Sequence, residues 1–388
     1  MKIPRSLHTH ILELCQYFPI ISLTGPRQAG KTTLLKSMFP DYRYVSLEDP
    51  DQKLAATDDP RSFLKQYDDK VIFDEAQRVP TLFSYLQTTV DEDRTAGRYI
   101  LSGSQNFLLR KNITQSLAGR VGITRLFPLD IQELMRAKIK PESYETSIFK
   151  GFYPTQFDTG VPARLFYPSY VSSYIERDVS GLISASNLNT FQRFLQICAT
   201  YAAQLLNYAQ IANAVGVSVP TIQNWFSVLE QSYLVFRLPP YFRNFGKRIV
   251  KSPKLYFYDT GLLCYLLNMK SPQDIINYYQ FGALFENLVV AEHIKMNHHS
   301  GESPRFYFYR DSNQLEVDLL REQAGKIQLT EIKANRTFSS KMLVTLNRVE
   351  KLIDQPVTKE LIYGGDEIFE HQGTRVRAWF SVKDSNAS

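Results

Sequence analysis

Residues that staple a chain or carry it through a bilayer are scarce here. The three cysteines, Cys15, Cys198 and Cys264, are odd in number and scattered. That argues against a disulfide framework or a cysteine zinc site and fits reduced thiols, so a cytoplasmic setting is expected. No apolar run approaches the ~18 residues of a membrane span, so no membrane partner is expected. Lys2 and Arg5 are followed by His8, His10 and Glu13 instead of an apolar stretch, which does not read as a signal peptide. Internal repeats and low-complexity tracts are also missing, and only residues 384–388 read as a disordered tail. Strong charge of one sign is lacking as well. With a net charge of +6, the distribution of charge matters more than its sum.

The chain does have a globular composition, 44% hydrophobic and 22% charged, over 388 residues. That is too long for one ordinary core, so two or three domains are expected. The stretch Gly25-Pro26-Arg27-Gln28-Ala29-Gly30-Lys31-Thr32-Thr33 fits G-x-x-x-x-G-K-[ST]. It lies between an apolar, β-branched run at 18–23 and a helical pattern at 32–38, which is strand, loop, helix. Gly25 and Gly30 let the backbone wrap phosphates with its N–H groups pointing inward, and the helix adds the positive end of its dipole. Lys31 would reach the β and γ oxygens and the Thr32 hydroxyl would hold magnesium. A nucleoside triphosphate site follows.

Residues 42–47 alternate like a strand, and 71–75 is an apolar run ending in Asp74 and Glu75. Such a strand carries Asp74 to the carboxyl edge of a sheet, where it would hold the magnesium shell, and Glu75 is placed to polarise the attacking water. The same pair can instead cap the next helix. A further strand at 99–105 ends in Ser102, Ser104 and Gln105, which would sense the γ-phosphate or position water, unless a serine caps a helix. Arg120 precedes a fifth strand at 121–127. There it can reach the γ-phosphate of a neighbouring subunit in a homo-oligomer, or it is a surface arginine beside a helix end. Five strands alternating with helices predict a doubly wound parallel α/β sheet over residues 1–135.

The loop written Gly-Pro-Arg-Gln-x-Gly-Lys-Thr-Thr, with Phe73-Asp74-Glu75-Ala76-Gln77, Ser102-Gly103-Ser104-Gln105, Leu117-Ala118-Gly119-Arg120 and Pro128-Leu129-Asp130, resembles a prokaryotic group of AAA+-type ATPases. These carry a C-terminal domain of unknown function that looks like a restriction-endonuclease fold. The resemblance continues through Tyr174-Ile175-Glu176-Arg177-Asp178 and Tyr256-Phe257-Tyr258-Asp259-Thr260-Gly261, nearly the whole chain. It implies ATP as the nucleotide and ATP hydrolysis as the activity.

Residues 136–190 are aromatic-rich and read as a helical lid or linker, in which Arg177 is either a lid arginine or the partner of Glu176 or Asp178. From 191 to 254 the order is a helix (191–206), a short helix capped by Asn207, a turn at Gly216, a third helix capped by Ser218, and a strand at 233–238. That is the order of a winged helix-turn-helix. The third helix would present Thr221, Gln223 and Asn224 to base edges and phosphates. Arg237, Arg243, Lys247, Arg248, Lys251 and Lys254 fall in an acid-free stretch interleaved with Tyr241, Phe242 and Phe245, suited to DNA. Winged helices also serve as protein-docking modules and ATPase lids.

Residues 255–388 form the last expected domain. A helix at 281–296 carries Glu286 in an apolar patch, where a carboxylate is costly unless a positive group meets it. Strands at 305–310, 316–321 and 326–333 follow. A tight turn at Ala324-Gly325 sets Asp318 opposite Glu331, with Lys333 on the same face. Like charges so placed call for an intervening cation. Asp318, Glu331 and Lys333, with Glu286, match the PD-(D/E)XK nuclease constellation. Asp318 and Glu331 would hold a magnesium or manganese ion, Lys333 would activate water and Glu286 would assist the metal. Such a fold also persists as a binding module without cleavage.

Overall fold

The computed structural model describes residues 3–104, 116–174, 179, 183–184, 187–241, 252–302 and 304–381. The expectations for Gln105, Glu176, Arg177, Asp178, Arg243, Lys247, Arg248 and Lys251 fall outside these. Five short runs form strands β1 (Ile20–Thr24), β2 (Arg43–Ser46), β3 (Val71–Asp74), β4 (Tyr99–Gly103) and β5 (Val121–Arg125). All pair in parallel, in the order β2-β3-β4-β1-β5. Every residue of β1, β3 and β4 is buried, because helices cover both faces of a parallel sheet and so select continuous apolar runs. Ile20, Phe73, Tyr99 and Leu101 pack on one face, Ile21, Leu23, Ile72 and Ile100 on the other. The chain leaves β1 for the far edge of the sheet and returns, so a crevice opens at the carboxyl ends of β1, β3 and β4.

Three helices follow at Leu188–Ala199, Tyr208–Val215 and Val219–Gln231. The Asn207 side chain accepts from the Gln210 N–H at 3.1 Å and the Ser218 hydroxyl from the Thr221 N–H at 3.3 Å, while Gly216 closes the second helix with φ 86°. An antiparallel ribbon comes next, β6 (Val235–Leu238) against β7 (Lys254–Phe257). The first helix stops at Ala199 and not near 206. Beyond it the backbone bonds to the ribbon instead: the Ala203 N–H donates to Leu255 O at 2.7 Å and the Leu206 N–H to Pro253 O at 2.9 Å.

The last sheet has six strands, β8 (Arg305–Arg310), β9 (Glu316–Gln323), β10 (Lys326–Lys333), β11 (Val357–Tyr363), β12 (Phe369–His371) and β13 (Thr374–Ala378), in the order β12-β13-β11-β10-β9-β8. A long helix, Phe281–Ser300, packs Phe285 and Leu288 on the face of Leu319, Ile332 and Ile362. The helix Val344–Glu350 packs Leu346 and Val349 on the opposite face, with Leu320, Leu329 and Leu361. The turn takes φ 48° at Ala324 and 75° at Gly325, and pairs Lys326 with Gln323 through to Thr330 with Leu319. Continued by one step, that register faces Asp318 with Glu331.

The three parts are bolted together. One apolar core runs from Leu129 to Trp379. Asp259 is buried, caps the helix Thr260–Leu266, and accepts from Tyr167 Oη at 2.7 Å and the Phe152 N–H at 2.7 Å. A Cβ on Gly261 would lie 2.1 Å from Tyr167 Oη, so the Asp-Thr-Gly run is a packing requirement. No helix among the described residues is long and apolar enough to cross a membrane.

Candidate functional site

The phosphate loop needs each glycine for its own reason. Gly25 sits at φ 151°, and a Cβ there would lie 2.0 Å from Leu126 O on the neighbouring strand's exit. Gly30, at φ 93°, is the left-handed entry to the helix Lys31–Met38. Lys31 is buried, its ammonium bonding Gly25 O and Pro26 O at 2.9 Å each. Thr32 Oγ1 donates to Asp74 Oδ2 at 2.9 Å, Tyr44 Oη to the same oxygen at 2.6 Å, and Ser102 Oγ to Asp74 Oδ1 at 2.5 Å. A hydroxyl and a carboxylate in contact at the loop's end are the hard oxygen donors magnesium prefers. Residues far apart in the chain therefore meet because β1, β3 and β4 end at one edge.

Glu75 follows β3 in left-handed backbone, φ 55°, which turns its side chain out of the sheet. Gln77 Nε2 donates to Glu75 Oε2 at 2.5 Å and Ser104 Oγ at 3.3 Å. Arg27, Gln28, Gly30, Lys31, Thr32, Thr33, Glu75 and Ser104 line a cavity of about 1230 Å³. Arg5, Arg136 and Asp158 close it from outside the motifs. Arg5 donates to Ala29 O at 2.7 Å, to Phe127 O at 2.6 Å and to Glu133 at 3.1 Å. No local pattern in the sequence marks it.

Asp130, Glu133 and His299 lie with ligating atoms within 4.8 Å of one another, fully buried. The Phe127 N–H donates to His299 Nε2 at 3.2 Å, so the ring's proton sits on Nδ1 and is donated to Asp130 Oδ2 at 2.8 Å. Glu133 takes Arg5 and the Ser6 and Asp130 N–H groups, and the Glu133 N–H fills Asp130 Oδ1. With these atoms engaged by protein, the trio is a clasp between the part carrying the parallel sheet and the end of the long helix.

Arg120 stands at the amino edge of the sheet. It precedes β5, whose first residue pairs with Ile20, so about 3.3 Å per strand residue separates it from its own loop by roughly 15 Å. Its guanidinium is held by Asp91, with both contacts at 2.7 Å.

On the third helix of the middle part, Gln223 and Asn224 are exposed, whereas Thr221 is half-buried and its hydroxyl meets Ser218 at 2.8 Å. Two of the cations expected in a basic ribbon are elsewhere engaged. Arg237 forms a bidentate pair with Glu230, at 2.7 and 2.5 Å, and donates to Tyr208 Oη at 2.9 Å. Lys254 is buried, paired with Glu286 at 2.8 Å and Glu316 at 2.5 Å. Strand pairing turns it inward, and it is the positive group Glu286 needed.

In the C-terminal cluster Lys333 Nζ lies 2.6 Å from Glu331 Oε1 and 3.8 Å from Asp318 Oδ2. Asp318 Oδ2 also accepts from the Ile332 N–H at 2.8 Å. Burial, then the Asp318 charge, pushes Glu331 up to about 8, and burial pushes Glu286 up to about 7 against the pull of Lys254. Burial pulls Lys333 down, but the Asp318 and Glu331 charges outweigh it and raise the ammonium to about 12. Glu286 does not join Asp318 and Glu331 in a trio of ligating atoms within 4.8 Å. It is held by Lys254 at 2.8 Å and by Tyr256 Oη, which donates to it at 2.6 Å.

Fold and loop define the class: the first third has the parallel sheet and phosphate loop of a P-loop domain, and residues 17–135 match the family model of the AAA domain. The remainder matches two domains of unknown function, DUF8612 over 141–273 and DUF4143 over 281–380. Uncharacterized protein Rv2008c of Mycobacterium tuberculosis is 29% identical over 364 residues, covering 92% of this chain and 79% of its own. Uncharacterized protein MJ1544 of Methanocaldococcus jannaschii is 24% identical over 378 residues, covering 89% and 82%. Among solved structures, the Walker-type ATPase PABY2304 of Pyrococcus abyssi overlaps with TM-score 0.41 at 16% identity, over 67% of this chain and 94% of that one. The ORC2 protein of Aeropyrum pernix in its ADP form does so with TM-score 0.31 at 14% identity, over 60% and 84%. The overlaps are loose, and the class rests on the AAA-domain match and the loop itself.

Proposed function

We propose that the chain is a magnesium-dependent ATPase that acts on DNA, with nucleotide turnover coupled to a winged helix and a nuclease-like C-terminal fold. The observation that carries the ATPase half is the convergence of Lys31, Thr32, Asp74, Ser102 and Glu75 at one sheet edge. Lys31 would leave the loop carbonyls for the β and γ oxygens, and Thr32 with Asp74 would hold magnesium. The ion supplies charge neutralisation of the phosphates. Glu75 takes the proton of the attacking water, with Gln77 and Ser104 fixing its carboxylate. Arg120 would complete the site of a neighbouring copy in a homo-oligomer, exchanging Asp91 for a γ-phosphate.

Three helices and an antiparallel ribbon, with Gln223 and Asn224 exposed on the third helix, favour DNA contact, and the segment between β6 and β7 supplies Arg243, Lys247 and Arg248. The run of helix, three strands, helix and strand, with Asp318, Glu331 and Lys333 clustered, favours the nuclease-like reading. The test is ATP turnover with and without duplex and single-stranded DNA. We expect severalfold stimulation that is lost in Lys31→Ala, which no longer binds nucleotide, and in Glu75→Gln, which binds ATP but hardly turns it over. Turnover by Glu75→Gln at the wild-type rate would remove it as the base.

A second reading is favoured by Glu286, whose carboxylate is already occupied by Lys254 and Tyr256. In it a slow ATPase switch controls assembly or partner docking, and the nuclease-like fold is silent. Nucleotide-dependent oligomer mass with turnover indifferent to DNA would select it.

A further inference from the structure

The C-terminal cluster contains an internal cation that no motif announces. Lys254 opens β7 and is 2% exposed. Its ammonium lies 2.8 Å from Glu286 Oε1 and 2.5 Å from Glu316 Oε1. A buried ammonium is costly unless opposite charge surrounds it, so this position is built for a cation. Tyr256, two residues along the same strand and hence on the same face, fixes the same oxygen of Glu286. Glu316 is already balanced by Arg310 at 2.9 Å. With their carboxyls ionised by a bound cation, Glu286, Asp318 and Glu331 stand against Lys254 and Lys333, three negative charges against two positive, a net of −1.

An independent feature points to a ligand at this spot. Glu331 is 3% exposed, yet its Oε2 has no hydrogen-bond partner. A buried carboxylate oxygen left bare beside a second acid is a coordination position. The hairpin register, continued one step past Thr330 and Leu319, sets Asp318 opposite Glu331, whereas Glu286 does not complete a trio of ligating atoms with them.

We propose that this cluster takes one divalent cation, on Asp318 and Glu331, together with one phosphodiester group, and that Lys254 fills the place of a second ion by holding Glu286. The inference rests on the nuclease-like reading and deepens it. The charges close: −1 from the cluster, +2 from one cation and −1 from the phosphodiester sum to zero. A second divalent ion would leave +2 among buried groups, with the Phe308 ring 5.6 Å from the Lys254 ammonium and Tyr256 on Glu286, which a low-dielectric site resists. Because Lys254 belongs to the ribbon, the ribbon supplies part of the C-terminal site.

Counting bound Mn²⁺ by the loss of its free-ion electron paramagnetic resonance signal tests this in the nucleotide-free full chain carrying Asp74→Asn, which silences the ATPase ion. That parent is expected to bind one Mn²⁺ per chain, and adding Asp318→Asn to abolish it. Adding Lys254→Met removes the ammonium from Glu286 and raises the count to two. Adding Lys254→Met with Glu286→Gln, which leaves no unpaired buried charge, returns it to one, and serves should the single variant not fold. Two ions on the parent would overturn the single-ion assignment, and one on Lys254→Met, or none or two on the double variant, would overturn the place given to Lys254; each leaves the nuclease-like reading standing. No ion on the parent, or a count unchanged by Asp318→Asn, would remove that reading itself.

Discussion

Arg120 shows how a residue's neighbours constrain its chemistry. Its side chain is only 24% exposed and forms a bidentate contact with Asp91. It sits on the edge of the sheet away from its own nucleotide loop, so any catalytic role is exercised on another copy. If it acts in trans, turnover per chain falls on dilution as the oligomer dissociates, and Arg120→Ala loses at least tenfold in turnover at every concentration while still binding ATP. Turnover that stays flat on dilution and survives the substitution would leave Arg120 a surface ion pair. The same reasoning applied to Arg237 gives a different result. Engaged by Glu230 and Tyr208, it braces the third helix against the ribbon and is not offered to a phosphate.

The element that does most to join the parts is the long helix Phe281–Ser300. Near its start stands Glu286 of the C-terminal cluster, and at its end His299 is bound to Asp130. Between them Lys295 donates to Leu129 O at 2.8 Å and pairs with Glu292, whose Oε2 accepts the Ile131 N–H at 2.6 Å. Both ions are about 1% exposed, in a setting that pushes Glu292 up to about 7, burial first. Lys295→Met would strand a buried carboxylate and cost about 3–5 kcal/mol. Urea unfolding of Lys295→Met with Glu292→Gln should recover most of that loss, since no unpaired charge remains. Equal destabilisation in both variants would show that the pair contributes packing alone.

At the scale of the molecule the buried ionisable groups pull stability in opposite directions as pH changes. His293 and His298 are held down to about 3, burial being the main cause. Unfolded, each takes a proton near pH 6.5, so their contribution is present above that value and is lost as pH falls from 6.5 toward 3. Glu286, Glu292 and Glu331 are raised to about 7, 7 and 8. The folded state then binds more protons than the unfolded one, so stability falls as pH rises from about 4.5 through 8. Urea midpoints should therefore decline from pH 6.5 to 8, where the acids outweigh the fading contribution of the two histidines. Added Mn²⁺ should lessen that decline, and His293→Gln should flatten the acid side. A midpoint still rising between pH 6.5 and 8 would contradict the assignment of the three acids.

What could be read in the sequence was what lies close together in the chain. The Gly25 to Thr33 loop is contiguous, Asp74 and Glu75 end one apolar strand, and the turn at Ala324-Gly325 sets the register of Asp318 and Glu331 from a few residues away. The caps at Asn207 and Ser218 are equally local. Tertiary structure alone decided the pairings that close long loops: Lys254 with Glu286, Arg5 with Ala29 and Glu133, and His299 with Asp130. It also ended the helix at Ala199, where bonds to the ribbon outweighed a helical pattern continuing toward Leu206. Local propensity and turn geometry are written in neighbouring residues. The partner of a buried charge is chosen by which surfaces the packed core brings together, and a lysine in an exposed basic run reads the same as one turned inward to neutralise two acids.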